Sequence, residues 1–222
     1  MVVEHHPIKA PPPGTVGAEE QTEDEAIRIC AAPSLWMGGR QWAQELSALG
    51  VKPGETLALA CPPGIVWVQG WVAALRQGLG IVPAAAAQAH LTLTPEGHLE
   101  RNLAVPHALF PLQAGPGVWT QSAPGHGPWQ WTPGESLLEM ARTKGAELDI
   151  RTGQRVLCPG AWSHTSTLLA GVIPALVAGA ELHVLAHGAK PERLRHSDSW
   201  PNHVLGELAG AWPPPSVGSS RF

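Results

Sequence analysis

Apolar residues are concentrated in two stretches of the chain that share one layout. Residues 54–83 and 153–185 each begin with a Gly-led turn, continue into a short apolar strand ending in Cys-Pro, and then form an apolar helix and a second apolar strand. Cys61-Pro62 in the first stretch corresponds to Cys158-Pro159 in the second. A strand, a helix and a strand in this order form a β-α-β unit, whose two strands pair in parallel. The repeat therefore predicts an α/β fold with a mostly parallel sheet, built from two repeated β-α-β units with helices on both faces.

Periodicity along the rest of the chain predicts further elements around the two units. The predicted elements, in chain order, are a helix ending near residue 50, a strand over 56–61, a helix over 65–77, a strand over 79–82, one helix near 99–104, a polar loop over 121–128, a helix over 135–145, a strand over 155–158, a helix over 165–178 and a strand over 181–185. The helix over 165–178 contains Pro174, which has no N–H group and should kink it. Prolines interrupt the remainder of 84–117, which predicts irregular structure there.

The two ends of the chain differ from its middle in their proline and charge content. Residues 1–33 contain three consecutive prolines and an acidic cluster, and they offer few apolar side chains to bury. Such a composition favours a flexible acidic and Pro-rich N-terminal segment. We therefore predict that the α/β domain spans 34–190 and that 191–222 form a Pro-rich C-terminal segment.

The charge balance excludes some partners. Lys and Arg number 14 against 18 Asp and Glu, for a net charge of -4, and no basic run is present. This pattern does not suit binding to a phosphate backbone, so no nucleic-acid partner is predicted. The N-terminus lacks the basic start and apolar core of a secretion signal, and no apolar stretch reaches the ~18 residues of a membrane span. We expect no membrane association and a cytoplasmic location.

The three cysteines, Cys30, Cys61 and Cys158, are too far apart for a zinc ribbon or a C-x-x-C redox motif, and their number is odd. They are interpreted as reduced thiols, because a buried cysteine ordinarily acts as a small hydrophobe. A disulfide or a reactive thiol is the alternative, since Cys61 and Cys158 end equivalent strands and would lie close together in one shared sheet.

Two other pairs of side chains have both a binding and a structural interpretation. Trp67 and Trp71 are four residues apart on one predicted helix, which suits an aromatic ligand site but is typical of core packing against a sheet. His183 and His187 lie on a strand and the loop after it, and no third metal ligand has suitable spacing. The sequence therefore predicts core packing for the tryptophans and no metal site.

Two stretches of the chain resemble the N-terminal part of the adenylate-forming superfamily, the AMP-dependent acyl-CoA synthetases and ligases. Residues 39–83, which include GVKPGETLALA and ALRQGLGIVP, are similar to the family's G-V-x-x-G-D-x-V-A strand and to its helix ending A-x-x-x-A-G before V-P. Residues 155–185 are similar to its R-V-L strand, a loop ending in His, and a helix reading L-L-P-A-L-x-x-G-A. Together the stretches cover about a third of the chain, in the family's order.

The resemblance implies a set of ligands. Enzymes of this family use ATP and Mg²⁺ to activate a carboxylic acid as its acyl-adenylate, release pyrophosphate, and pass the acyl group to CoA or a carrier thiol. It implies ATP or AMP with Mg²⁺ as cofactors if that activity survives, and an acyl or aryl carboxylate as the ligand.

Between the two stretches the family places a phosphate-binding loop of the form T-S-G-T-T-G-x-P-K-G, and here the corresponding segment is TQSAPGHGPW. The resemblance assigns Thr120, Ser122 and Gly125 to a remnant of this nucleotide-binding loop. Pro124 removes an N–H group, and Pro128 stands where the family has its Lys. Charge-assisted hydrogen bonds to phosphate contribute on the order of 1.5–3 kcal/mol each, so this loss weakens nucleotide binding.

The resemblance also assigns substrate-binding residues. Trp162, Ser163 and His164 occupy the loop in which the family's His lines the acyl-substrate pocket. The structural alternative for His164 is a half-exposed residue at a helix N-terminus. No catalytic residue is assigned, because neither a G-x-S-x-G motif nor a base for the cysteines can be identified.

These observations predict a truncated relative of the acyl-CoA synthetases, a pseudoenzyme that keeps the N-terminal α/β core and a remnant of the acyl pocket. The sequence has no counterpart of the family's Thr-Glu magnesium site, of its ribose-binding Asp or of its C-terminal domain with the catalytic Lys, so full ATP-dependent ligase activity is not expected from this chain alone. One alternative is a non-catalytic binding or assembly module. Another is one half of a split ligase, whose missing half a protein partner supplies.

Overall fold

The computed structural model describes residues 3–6, 22–23, 26–30, 33–83, 88–102, 110, 113, 115–123, 126–158, 162, 168–185 and 203–204. The strands are β1 (Val3–His6), β2 (Thr22–Glu23), β3 (Ala26–Cys30), β4 (Thr56–Leu59), β5 (Gly80–Val82), β6 (Leu91–Leu93), β7 (Leu99–Asn102), β8 (Gly117–Ala123), β9 (His126–Pro133), β10 (Arg155–Cys158), β11 (Glu181–Leu185) and β12 (His203–Val204). The helices are α1 (Pro33–Ala48), α2 (Ile65–Arg76), α3 (Gly134–Glu147) and α4 (Ile173–Ala178), with a π-helical turn at Leu168–Val172 before α4.

The strands form two mixed sheets. The seven-stranded sheet has the order β1-β7-β6-β4-β5-β8-β9, and the five-stranded sheet has the order β12-β10-β11-β3-β2. The central strands pair in parallel, β4 with β5 and β6, β5 with β8, and β10 with β11 and β12. The outer strands add antiparallel pairs. The predicted α/β class with helices on both sides is confirmed, and the antiparallel edges are a small departure from it.

Each repeat forms the predicted β-α-β unit, but the two units lie in different sheets. In the first unit Thr56 of β4 is paired with Gly80 of β5, and in the second Arg155 of β10 is paired with Glu181 of β11, both in parallel. The other side of β5 is occupied by β8, and the other side of β11 by β3. Because β8 and β3 already pair with these edges, the two units do not pair with each other and lie in separate sheets.

Helices α1 and α2 cross at close range in the apolar core that joins both sheets. Trp42 and Leu46 of α1 are buried there with residues of α2 and of the strands. A Cβ on Gly39 would lie only 2.5 Å from Cγ1 of Val72. Glycine at this position therefore allows the two helix backbones to approach each other, which accounts for its place inside a helix despite its low helix propensity.

The helix predicted near residues 99–104 is wrong. Leu99–Asn102 form strand β7, which pairs antiparallel with β6. The turn between them is closed by hydrogen bonds from the Thr94 N–H to the His98 carbonyl (2.8 Å) and from the Gly97 N–H to the Thr94 carbonyl (3.0 Å), and Gly97 has a φ of 80°. A glycine that supplies positive φ between two short apolar strands is a hairpin signal, and it prevails over the weak helical pattern.

Strands also occur within residues 1–33, where the sequence indicated no regular element. Strand β1 pairs antiparallel with β7, and β3 pairs antiparallel with β11. The sequence of β3, AIRIC, is mostly apolar and includes two β-branched isoleucines, a residue type common in strands. The boundary between this segment and the α/β domain stays a prediction, as does the boundary at residue 190.

The predicted kink at Pro174 corresponds to a change of helix type. A π-helical turn ends at Val172, and α4 begins at Ile173 with Pro174 in its first turn, where the absent N–H costs little. Gly179 ends α4 with a φ of 71°, in the left-handed region that favours glycine. Among the helices that the structure describes, none has the length and apolar composition needed to traverse a bilayer.

Candidate functional site

The two β-α-β units meet at the carboxyl ends of their first strands. Trp162 follows β10, Trp67 lies in the first turn of α2, and both are 1% exposed. Their rings are packed edge to face, with centroids 4.9 Å apart and planes at 82°. Trp67 also stacks on Trp71 of the same helix, at a centroid distance of 6.3 Å. Trp162 is therefore packed against the start of α2, although the two units belong to different sheets.

These tryptophans are core residues, as the sequence predicted for Trp67 and Trp71. They lie in the apolar cluster that joins the two sheets. Within the described part of the chain, the indole N–H groups of Trp42, Trp71, Trp119 and Trp162 are buried and have no hydrogen-bond partner. Leaving a buried donor unpaired costs about 1–3 kcal/mol, and the apolar packing of the four rings offsets this cost. Trp162 is the only residue of the predicted substrate loop that the structure describes; Ser163 and His164 lie outside the described residues.

Cys61 and Cys158 are free and buried, in agreement with their interpretation as reduced thiols. Burial raises the pKa of both thiols to about 12. At neutral pH they are therefore protonated, and a thiol is a far weaker nucleophile than a thiolate. Neither residue is suited to act as a reactive thiol.

The segment that resembles a phosphate-binding loop is largely part of a β-hairpin. Strand β8 continues through Ala123, and β9 begins at His126 and pairs antiparallel with it. The polar loop predicted over 121–128 is therefore wrong in extent, because the antiparallel ladder continues into it through the pairing of Gln121 with Trp129 and of Ala123 with His126. Thr120 is 3% exposed and lies opposite Gln130, within the strand. The backbone of Ser122 also belongs to β8, whereas Gly125 lies outside the described residues.

Aromatic side chains cover one face of this hairpin. Trp119 and Trp131 face each other across the strands at a centroid distance of 5.2 Å. Phe110 packs edge to face on Trp119 at 5.6 Å and on Trp129 at 5.1 Å. Aromatic contacts of this kind contribute about 0.5–1.5 kcal/mol each beyond the area they bury. They make the described part of the hairpin, around Trp119, Trp129 and Trp131, a packed structural element.

The positive charge of a phosphate site is missing from the described part of the hairpin. Pro128, which the sequence resemblance aligned with a Lys, is exposed on β9, and the sequence from 117 to 133 contains neither Lys nor Arg. On the following helix, Lys144 is paired with Glu147 at 2.9 Å and Arg142 is exposed. No described contact directs either cation toward the hairpin, so the structure offers no replacement for the absent Lys.

Several solved structures share a fold with this chain over part of their own length. ATP-bound MatB from Rhodopseudomonas palustris matches 73% of this chain and 41% of its own, with 15% identity and a TM-score of 0.54. MbtA from Mycobacterium smegmatis matches with 16% identity, 73% and 40% coverage and a TM-score of 0.54. The anthranilate CoA ligase AuaEII, in complex with anthranoyl-AMP, matches with 16% identity, 71% and 39% coverage and a TM-score of 0.54.

These likenesses confirm, for the fold, the resemblance to the N-terminal part of the adenylate-forming enzymes. The chain spans about two fifths of the length of these three proteins. No family model matches the sequence, and no curated protein matches it in a sequence search. The identities are too low to transfer an activity, so the likeness describes the scaffold alone.

A polar cluster lies at the opposite, amino end of β4. Nδ1 of His90 accepts a hydrogen bond from the Thr56 N–H (3.1 Å) and is 2.9 Å from Oγ1 of Thr56, which in turn accepts from the His90 N–H (3.2 Å). Beside them, Arg101 forms an ion pair with Glu55 at 3.0 Å. Because Nδ1 is an acceptor, His90 is neutral in the folded chain. Burial lowers the pKa of His90, Glu55 opposes this, and Arg101 lowers it further.

This arrangement predicts a loss of stability in mild acid. Above a pH of about 6.5, the ordinary pKa of the group, His90 is neutral in both the folded and the unfolded chain. As the pH falls below that value the unfolded chain takes up a proton that the folded chain excludes, so the free energy of unfolding decreases.

His90→Asn keeps an acceptor near the Nδ1 position and removes the titration, so the stability of this variant should fall less with acid. Urea unfolding at several pH values measures this, with exposed His98→Asn as the control. An equal acid dependence in His90→Asn and the unmodified chain would contradict it.

Proposed function

We propose that this chain is an N-terminal scaffold of the adenylate-forming kind that does not carry out ATP-dependent ligation by itself. The observation that carries the proposal is the hairpin of β8 and β9. The sequence resemblance assigns residues 120–129 to the phosphate loop, and most of that segment lies in this hairpin, which has aromatic packing on one face and neither Lys nor Arg from 117 to 133. The fold supports the family relationship, and the chemistry of the hairpin supports the loss of nucleotide binding.

The proposal includes a remnant of the acyl-substrate pocket. Trp162, Ser163 and His164 are proposed to line it, with an acyl or aryl carboxylate as the ligand. Support comes from the position of Trp162, which follows β10 and packs against Trp67 in the first turn of α2. Thr120, Ser122 and Gly125 are proposed as the remnant of the nucleotide loop, and ATP with Mg²⁺ would be cofactors only if that loop still binds.

A calorimetric titration of the chain with ATP and Mg²⁺ tests the proposal. We expect no measurable heat of binding, because the charge-assisted bonds that a Lys and a free N–H would make to phosphate are missing. The matched variants are Thr120→Ala and Ser122→Ala in the remnant loop and Thr132→Ala on the neighbouring strand. Micromolar binding that weakens in the first two variants and persists in the third would show a working nucleotide site and overturn the proposal.

A split ligase is the second candidate, and the coverage of the solved structures favours it. The chain spans 41% of MatB, so more than half of that enzyme has no counterpart in this sequence. Another polypeptide, or a further part of a longer one, would supply the ribose-binding Asp and the catalytic Lys. Examination of the adjacent reading frame for those motifs distinguishes this candidate, because a lone scaffold or a non-catalytic assembly module requires neither. The cytoplasmic location and the absence of a nucleic-acid partner stay predictions from the sequence.

A further inference from the structure

Strand β9 lies at the edge of the seven-stranded sheet, and it pairs with β8 along one side. In the part of the chain that the structure describes, no strand pairs with its other side. Pro128, Gln130 and Pro133 are exposed, which places this strand at the surface. The N–H and C=O groups along an exposed strand edge can pair with a further strand.

The hydrogen-bond pattern of the hairpin shows which backbone groups of β9 point away from β8. Just beyond the paired strands, the Gly134 N–H donates to the Pro116 carbonyl at 2.8 Å. Hydrogen-bonded and non-hydrogen-bonded positions alternate along an antiparallel ladder. Gln130 lies an even number of residues from Gly134 and therefore bonds to β8. The N–H and C=O groups of Trp129 and Trp131 instead point to the free edge.

The regular part of this edge is short. Between His126 and Trp129 the register of the hairpin shifts, as it does at a β-bulge. At the other end Pro133 has no N–H group to donate. Regular pairing is therefore confined to residues 129–132, and a partner strand can bind there only in a restricted register.

The sequence of this edge is complementary to itself. Trp129, Gln130 and Trp131 read the same in both directions, and no residue from 128 to 133 is charged. If two copies pair antiparallel about a two-fold axis at Gln130, Trp129 of each copy lies opposite Trp131 of the other. All the outward N–H and C=O groups of the tryptophans are then paired, and no like charges meet. The edge also has none of the lysines that commonly prevent edge strands from pairing.

We propose that β9 is the site at which two copies of this chain associate, through residues 129–131, so that the seven-stranded sheet continues across a two-fold axis. Trp129 and Trp131 are only half-buried within one chain, and pairing places the tryptophans of the two copies side by side. A two-fold contact of this kind is closed, so it gives a dimer and not a fibre. The short edge makes a small interface, so the dimer is weak and reversible.

Analytical ultracentrifugation of the chain over a range of concentrations, at low ionic strength, tests the proposal. We expect a reversible monomer–dimer equilibrium. Gln130→Lys and Gln130→Glu should each raise the Kd of the dimer by about tenfold or more, because like charges then lie opposite each other at the axis. A mixture of the two variants should dimerise again, since opposite charges then meet there. Gln130 is exposed, so both variants should fold, which circular dichroism checks.

Gln44→Lys is the matched control, because it makes the same substitution at an exposed glutamine of α1, outside the hairpin. Its Kd should equal that of the unmodified chain. The proposal is overturned if the chain is monomeric at every concentration. It is equally overturned if the dimer persists unchanged in Gln130→Lys, since the contact would then lie elsewhere on the surface.

Amide hydrogen exchange followed by NMR locates the contact on the strand. The N–H groups of Trp129 and Trp131 should be protected only at concentrations at which the dimer forms. The Gln130 N–H bonds to β8 within one chain, so it should be protected at all concentrations. Protection of the two tryptophan amides in a chain that stays monomeric would show that another segment of the same chain occupies the edge, and this result would also overturn the proposal.

Discussion

Trp67→Ala should lower the free energy of unfolding by about 3–5 kcal/mol, the usual cost of removing a fully buried large aromatic side chain. Trp67 is 1% exposed and contacts Trp71 and Trp162, so its loss leaves a cavity that two rigid rings cannot fill. Because Trp162 follows β10 and Trp67 belongs to α2, the substitution also removes the aromatic contact between the two units. Trp162 should become more accessible to solvent as a result, which a shift of its fluorescence to longer wavelength would report.

Urea unfolding followed by circular dichroism measures the effect, and Trp129→Ala provides a matched control. Trp129 is half-buried at the hairpin and makes one described aromatic contact, with Phe110. Its removal should cost clearly less than the removal of Trp67. Equal losses in the two variants would show that the contact between the units has no special importance for stability.

Gly117→Ala should destabilise the chain by about 1–3 kcal/mol, although it adds a single methyl group. A Cβ at this position would lie 2.4 Å from Cζ2 of Trp131 and 2.5 Å from the carbonyl oxygen of Thr132. The Trp131 ring can shift only by giving up its packing on Trp119. The Thr132 oxygen belongs to the backbone of β9, so relief of that contact would disturb the strand pairing itself.

Gly145→Ala is the control for this prediction, and its effect should have the opposite sign. Gly145 lies inside α3, and the closest atom to its added Cβ is the Pro174 carbonyl oxygen at 3.9 Å, an ordinary contact. Alanine is favoured over glycine in a helix by about 0.8–1 kcal/mol, so this variant should be slightly more stable than the unmodified chain. Thermal unfolding of the two variants side by side checks both signs. A stable Gly117→Ala variant would contradict the close packing of the hairpin.

The individual β-α-β units could be predicted from the sequence, because each is a local pattern of apolar strand, apolar helix and apolar strand. Helix α2 and strand β10 agree with their predicted limits to within one residue. The assignment of the units to two sheets could not be predicted. It depends on β8 and β3, which occupy the free edges of β5 and β11, and strand partners distant in sequence leave no local signal.

The hairpins were the elements that the sequence pattern described least well. Between β6 and β7, the turn residues Pro95 and Gly97 were present, but three apolar positions were too few to establish the period of two. At β8 and β9, the small polar residues of a loop masked the alternation of Trp129 and Trp131. In both places the structure depends on pairing with another strand. A short stretch of sequence that covers one strand does not include its partner strand.

The contacts of the candidate site residues could be predicted only in part. The resemblance singled out Trp162, and the structure packs it against Trp67, a contact between residues 95 positions apart that periodicity cannot reveal. The same limitation hid the antiparallel pairing of β11 with β3, which are distant in sequence. The substrate-binding roles of Trp162, Ser163 and His164 stay predictions that rest on the family resemblance.

The central claim is that this chain has the ligase scaffold without independent adenylation chemistry, and a carboxylate-dependent ATP–pyrophosphate exchange assay tests it most directly. The purified chain is incubated with ATP, Mg²⁺, labelled pyrophosphate and a panel of aliphatic and aromatic carboxylic acids, beside an intact acyl-CoA ligase as the positive control. The account predicts no carboxylate-dependent label in ATP from the chain alone, whereas the control ligase exchanges with its own substrate. Exchange by the chain alone that depends on one carboxylic acid, and that is lost in Thr120→Ala, would contradict the account.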